Sequence, residues 1–217
     1  MQSDLPFGHK ILHRIKYQLL GLTERNKQMV VGVGLPKTAT TSLCDALTML
    51  GYRTIHYPPI CTFEGKDVRM RWPWWMSGYD AMADLPAAVL YRELSERFPN
   101  ARFILTLRDL DAWLGSSEKH FSREHHEATK AQALFQDAVA LYCYKYGRPW
   151  FERDSFVATY RQHEKEVRDF FAGSSRFLTL DIGADDGWPK LAGFLERDIP
   201  EMPFPKSNVW RSDRAGR

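Results

Sequence analysis

The chain has 217 residues, 44% of them hydrophobic and 26% charged, with a formal net charge of +3. That length fits one domain with a substantial core, and the composition is that of a soluble globular protein. A charge this small does not by itself argue for nucleic acid, although it suits an anionic ligand if the cations gather at a cleft.

Residues 7–22 place Ile11, Leu12, Ile15, Leu19 and Leu20 against Lys10, Arg14 and Lys16, an amphipathic helical pattern. Such a helix packs on a domain or lies on an anionic membrane surface. A polar connector follows, so residues 1–28 form a leading segment, 29–208 the core and 209–217 a basic tail of a single domain. No apolar run approaches the roughly 20 residues of a membrane span. The N-terminus lacks the apolar core of a secretory leader. Cys44, Cys61 and Cys143 are odd in number and without metal-ligand spacing. Buried thiols in a reducing compartment, the cytoplasm, are therefore expected.

Residues 29–33 read as a strand buried on both faces. Gly32, Gly34 and Pro36 favour a turn, and a helix is expected from near Thr38, with Leu43, Ala46, Leu47 and Leu50 at helical spacing. Its free N–H groups and positive dipole end would face the loop. With the Lys37 ammonium and the hydroxyls of Thr38, Thr40, Thr41 and Ser42, this is a phosphate cradle. It is not a Walker loop, because Pro36 precedes the lysine and Val31 stands six before it. Ala39 tolerates helix but not positive φ, so the chain should be helical by that point.

Gly51 stops the helix, and residues 52–56 form a second strand ending at His56 before Pro58 and Pro59. Residues 60–79 read as irregular and aromatic, with Trp72, Trp74 and Trp75 lining an acceptor pocket or flapping over the core. A short strand over 80–84 leads to a helix opened by Pro86 and running to Phe98. Residues 102–107 are the clearest strand. Helix follows from Asp109, over 124–146, and from a Ser155 cap to Phe171. A strand over 176–180, a helix over 188–195 and a proline-rich tail complete the chain. Strands alternating with helices imply a parallel sheet with right-handed crossovers.

Arg108 stands at the carboxyl end of the clearest strand, where open α/β sheets bind ligands. Its planar donor fork suits phosphate. Ser116, eight residues on, would be returned toward it by the first turn of a helix.

The segment Gly34-Leu-Pro-Lys-Thr-Ala-Thr-Thr-Ser-Leu43 resembles the Pro-Lys-[Ser/Thr]-Gly-Thr-Thr loop of sulfotransferases, with Ala39 where that family more often has Gly. The Arg108 and Ser116 pair resembles the family's 3′-phosphate motif. Asp84-Leu-Pro86, Phe103-Ile-Leu-Thr-Leu-Arg-Asp109, Tyr160-Arg-Gln-His-Glu164 and the stretch from Gly187 to Leu195 look like a compact bacterial and fungal branch. So does Pro203-Phe-Pro-Lys-Ser-Asn208.

The resemblance implies a three-layer α/β fold of the P-loop nucleoside-triphosphate-hydrolase type. It also implies 3′-phosphoadenosine-5′-phosphosulfate (PAPS) as donor, with 3′,5′-ADP as product. Pro36, Lys37, Thr38, Ala39, Thr40, Thr41, Ser42, Arg108 and Ser116 would hold the donor, and no metal is expected. The acceptor would be a small molecule bearing a hydroxyl or amine, and the aromatics at 72–79 point to an apolar or aromatic one. Lys37 would neutralise the leaving phosphate, and Asp84 or His56 would be the base; Asp84 is equally suited to capping a helix. The Arg-Lys-Gly segment that completes the 3′-phosphate site in animal cytosolic members is not found, leaving Lys206 or a tail arginine as candidate replacements. A P-loop small-molecule kinase and a non-catalytic nucleotide-binding module are the alternative readings.

Overall fold

The computed structural model describes residues 28–125, 135–184 and 186–207. The segments expected as an amphipathic helix (7–22) and a basic tail (209–217) lie outside the described residues. So does 126–134, within the helix expected over 124–146.

Five strands form one parallel sheet: β1 (Val30–Gly32), β2 (Thr54–His56), β5 (Ala81–Ala83), β6 (Arg102–Leu107) and β7 (Phe177–Asp181). Their order is β2-β5-β1-β6-β7. Val31 stands opposite Met82 on one side and Phe103 on the other, and His56 opposite Ala83. Among the described residues the α-helices are α1 (Thr40–Met49), α2 (Tyr91–Arg97), α3 (Leu110–His120), α4 (Phe135–Tyr146), α5 (Arg153–Phe170) and α6 (Trp188–Leu195).

Successive strand residues face opposite sides of a sheet, so two cores form. Val31, Met82, Phe103 and Leu105 pack with Leu94 of α2, Leu141 of α4 and Val167 of α5. Val30, Ala81, Ala83 and Ile104 pack with Leu43 and Leu47 of α1 and Leu191 and Leu195 of α6. Each of the buried Val, Leu, Ile, Phe and Met side chains contributes about 1.5–3 kcal/mol before entropic costs. The result is three layers, helix on sheet on helix. A satellite cluster of Leu35, Trp113, Phe121, Tyr146, Phe156 and Tyr160 lies around α3, α4 and α5.

Several expected elements differ in detail. Residues 60–79 are not irregular: β3 (Cys61–Glu64) and β4 (Asp67–Met70) form an antiparallel hairpin. Gly65, at φ 64°, opens its two-residue turn, as such turns require. Trp74 and Trp75 are exposed beyond it, whereas Trp72 packs on Phe98. Turns occupy residues 85–89, so α2 starts at Tyr91 rather than at Pro86; the Leu85–Pro86 bond is cis. Glu152, not Ser155, caps α5, accepting from the amides of Asp154 and Ser155. Of the thiols only Cys44 is buried; Cys61 is half-buried and Cys143 exposed.

Gly32 and Gly34 are required by packing rather than by turn geometry. A Cβ on Gly34 would lie 1.9 Å from Thr106 Oγ1 and 2.6 Å from Thr38 Oγ1, and one on Gly32 2.6 Å from Ala83 Cβ. Real Cβ atoms do not approach so closely, so both positions must be glycine for β1 to sit between β5 and β6 and carry its loop.

Candidate active site

Between β1 and α1 the chain crosses the carboxyl edge of the sheet, and three donors hold its carbonyls. His163 Nε2 lies 2.7 Å from Val33 O, Trp113 Nε1 donates to Pro36 O at 2.8 Å, and Arg108 Nη1 to Lys37 O at 3.2 Å. In a trans peptide N–H and C=O point oppositely. Turning Pro36 O onto the Trp113 indole therefore aims the Lys37 N–H the other way. Thr38 folds the loop on itself, its amide and hydroxyl both donating to Leu35 O.

α1 opens on Ala39 at φ 69°, ψ 31°, with no side-chain cap and no acidic residue in its first turn. The expectation that Ala39 is already helical is thereby corrected: the helix starts at Thr40, and Ala39 holds the left-handed conformation that favours glycine. The uncapped first-turn amides present partial positive charge.

The hydroxyls expected to line the cradle are mostly engaged elsewhere. Thr38, 1% exposed, bonds Thr106 Oγ1 at 2.6 Å besides Leu35 O. Thr40 Oγ1 donates to Asp84 Oδ2 at 2.8 Å. Ser42 Oγ accepts from the Ser207 amide, and Ser207 Oγ bonds Asp45, strapping the tail over α1. Thr41 is half-buried, with its hydroxyl 3.5 Å from His56 Nε2. The strap leaves Lys206 exposed beside α1.

The two alternative bases are one assembly. β2 and β5 are parallel neighbours ending together, so His56 reaches Asp84: Nε2 to Oδ2 is 2.9 Å, and Thr40 Oγ1 lies 3.0 Å from the same ring nitrogen. Asp84 is 6% exposed and its Oδ1 accepts from the Leu85 amide. It does not cap α2, which begins after Leu90. Burial is the main influence holding the Lys37 ammonium below its ordinary range; Asp84 pulls it back up and Arg108 lowers it further. Lys37, Arg108 and Asp84 thus share one electrostatic neighbourhood.

Arg108 is held through its backbone. Its amide donates to Tyr160 Oη at 3.1 Å, and that hydroxyl donates to Arg108 O at 2.6 Å. Asp109 caps α3, accepting from the Ala112 amide. Ser116 is half-buried on the second turn of α3, not the first, about 9 Å along the helix axis from Leu110. Among the described residues it makes no hydrogen bond to Arg108.

Backbone strain gathers here. Five described non-glycine residues have positive φ, and four of them are Lys37, Ala39, Tyr57 and Asp84, all at strand ends or in the loop. Such conformations cost of order 1–3 kcal/mol each and concentrate at functional sites. Tyr57, directly after His56, has its hydroxyl buried without a hydrogen-bond partner among the described residues, and burial raises its phenol well above the usual range.

Sequence reasoning assigned no role to Trp113, Tyr160 or His163. The only signal for the last two was the family-like segment from Tyr160 to Glu164. Among the described residues no group of three or more His, Cys, Asp or Glu side chains is arranged to hold a metal ion.

The chain is similar to the "Ava biosynthesis cluster protein M" of Aspergillus versicolor, with 26% identity over 215 residues, covering 81% of this chain and 79% of that protein. A sulfotransferase from Alicyclobacillus acidocaldarius of known structure aligns at 16% identity and a TM-score of 0.48, covering 86% and 87% of the two chains. The family model described as "Sulfotransferase domain" matches residues 29–212, from the first strand past the tail strap. With most of its length inside that match, the chain belongs to the sulfotransferase family.

Proposed function

We propose that this enzyme transfers a sulfuryl group from PAPS to a hydroxyl or amine of a small acceptor, leaving 3′,5′-ADP. The observation that carries the reading is the meeting of two cations from distant segments: the Arg108 guanidinium rests on the carbonyl of Lys37, 71 positions earlier. Both stand at the carboxyl edge of the sheet, beside the uncapped amides of α1. A nucleotide phosphorylated at both its 3′ and 5′ positions asks for such a pair of grips. When bound, the donor supplies an activated sulfuryl group on a phosphate leaving group.

The chain's own residues supply positioning and charge. The amides of the loop and of the first turn of α1, with Lys37, hold the 5′-phosphate, and Lys37 stabilises the charge that grows there. Arg108 takes the 3′-phosphate, with Ser116 and the exposed Lys206 as further ligands. Asp84 orients His56 through the 2.9 Å contact, and the pair accepts the acceptor's proton. The hydroxyls of Thr38 and Ser42 serve the loop's shape instead. The free thiols suit a reducing compartment, the cytoplasm. A fungal relative named for a biosynthesis cluster supports a small metabolite as acceptor.

Calorimetry tests the reading. Binding of 3′,5′-ADP without Mg²⁺, weakened far more by Arg108→Ala than the binding of adenosine 5′-phosphosulfate, is expected. Preference for ATP with Mg²⁺ would replace it with a kinase. Donor binding without turnover of any acceptor in a broad screen would leave a nucleotide-binding module.

A further inference from the structure

We propose that Tyr160 and His163, one turn apart on α5, are positioning residues that fix the spacing between the two phosphate grips. This rests on the reading of Lys37 and Arg108 as the two ends of one nucleotide site.

Residues three apart on a helix share a face. Here that face spans the ends of two adjacent parallel strands. The Tyr160 hydroxyl both accepts from the amide and donates to the carbonyl of Arg108, closing on the first residue after β6 from both sides. His163, 2% exposed, bonds Val33 O, the carbonyl immediately before Gly34. A carbonyl carries no proton, so Nε2 must be the donor, which leaves Nδ1 to accept from Lys145 Nζ at 3.1 Å. One imidazole tautomer is thereby selected by its two partners.

The contacts lie where they control ligand geometry. Neither side chain bonds a ligand-facing group; each bonds main chain at the root of one grip. Trp113, 4.7 Å from the Tyr160 ring, adds a third tie through Pro36 O. α5 therefore acts as a gauge bar: loop and Arg108 can separate only by breaking bonds to the same helix. A ligand held at one end senses one tie, and a ligand held at both ends senses the distance between them.

The test compares two probes on four proteins. Wild type, Tyr160→Phe, His163→Gln and His163→Leu are titrated calorimetrically with 3′,5′-ADP and with 5′-AMP, which lacks the 3′-phosphate. Tyr160→Phe keeps the ring and its packing, and should lose about tenfold in affinity for 3′,5′-ADP, the scale of one hydrogen bond. Its affinity for 5′-AMP should change less than about threefold. His163→Leu should weaken both nucleotides by about tenfold, and His163→Gln, which keeps a donor for Val33 O, should restore most of that loss. Equal losses of both nucleotides in Tyr160→Phe, or no loss, overturn the spacing role while leaving the donor assignment intact. Gln no better than Leu at position 163 removes His163 from it. Failure of the wild type to bind 3′,5′-ADP overturns the donor assignment, and the gauge with it.

Discussion

Acid should unfold this protein sooner than its carboxylates alone require, and His163 is the reason. The ring is 2% exposed. Burial first, and the Lys145 ammonium at Nδ1 second, push its pKa from 6.5 down to about 3, against a smaller upward pull from Val33 O. Lys145 itself, lowered to about 8 by burial, stays charged throughout the acid range. The other ionisable ring against His163 is Tyr91, edge-on at 6.3 Å, and it is neutral there.

Between pH 6.5 and about 3 the unfolded chain binds a proton at this position and the folded chain does not. Stability therefore rises with pH across that window and is lost as pH falls through it. The slope approaches 1.4 kcal/mol per pH unit, so lowering pH from 7 to 4.5 removes about 2–3 kcal/mol through this residue alone. Urea unfolding at both pH values, on wild type and His163→Gln, isolates it: the wild type should lose about 2–3 kcal/mol more than the variant, a midpoint difference of about 1–2 M. Parallel losses in the two proteins would refute the reasoning, whatever the carboxylates contribute.

Three further outcomes follow from the site. Asp84→Asn keeps the acceptor for the Leu85 amide but removes the charge facing His56. Turnover should fall about a hundredfold or more with 3′,5′-ADP affinity within about threefold, and combining it with His56→Ala should cost little extra, as steady-state rates of the three variants will reveal. Gly34→Ala drives a methyl into the Thr38–Thr106 hydroxyl pair; overpacking of about 3 kcal/mol should lower the melting temperature by roughly 6–12 °C. Trp113→Phe leaves the Pro36 carbonyl without its indole donor, so a loss of about 1–3 kcal/mol by denaturant titration is expected, together with weaker binding of both 3′,5′-ADP and 5′-AMP.

What the sequence discloses depends on how far apart the interacting residues are. The strand at 102–107 and the helix at 188–195 match to the residue because period and composition agree locally. The hairpin at 61–70 is obscure because, of its eight strand residues, only Val68 is buried, so the alternation that marks strands is faint. Lys37 and Arg108 are individually legible from loop and strand-end chemistry. His56 and Asp84 look like rivals in one dimension, and only the parallel pairing of β2 with β5 makes them partners. Trp113, Tyr160 and His163 act on carbonyls 77, 52 and 130 positions away. No local pattern encodes those bonds, since a backbone oxygen has no identity in the sequence.

The internal engagement of Thr38, Thr40 and Ser42 carries a consequence for how the loop tolerates change. A grip made chiefly of peptide groups is the same whichever side chains decorate it, so ligand recognition places little demand on residue identity there. Neighbouring architecture places that demand instead. In the proposed donor site, replacements in this stretch would therefore damage folding before they alter ligand preference, and drift toward new nucleotides would have more freedom at Arg108, whose fork would itself be the reader.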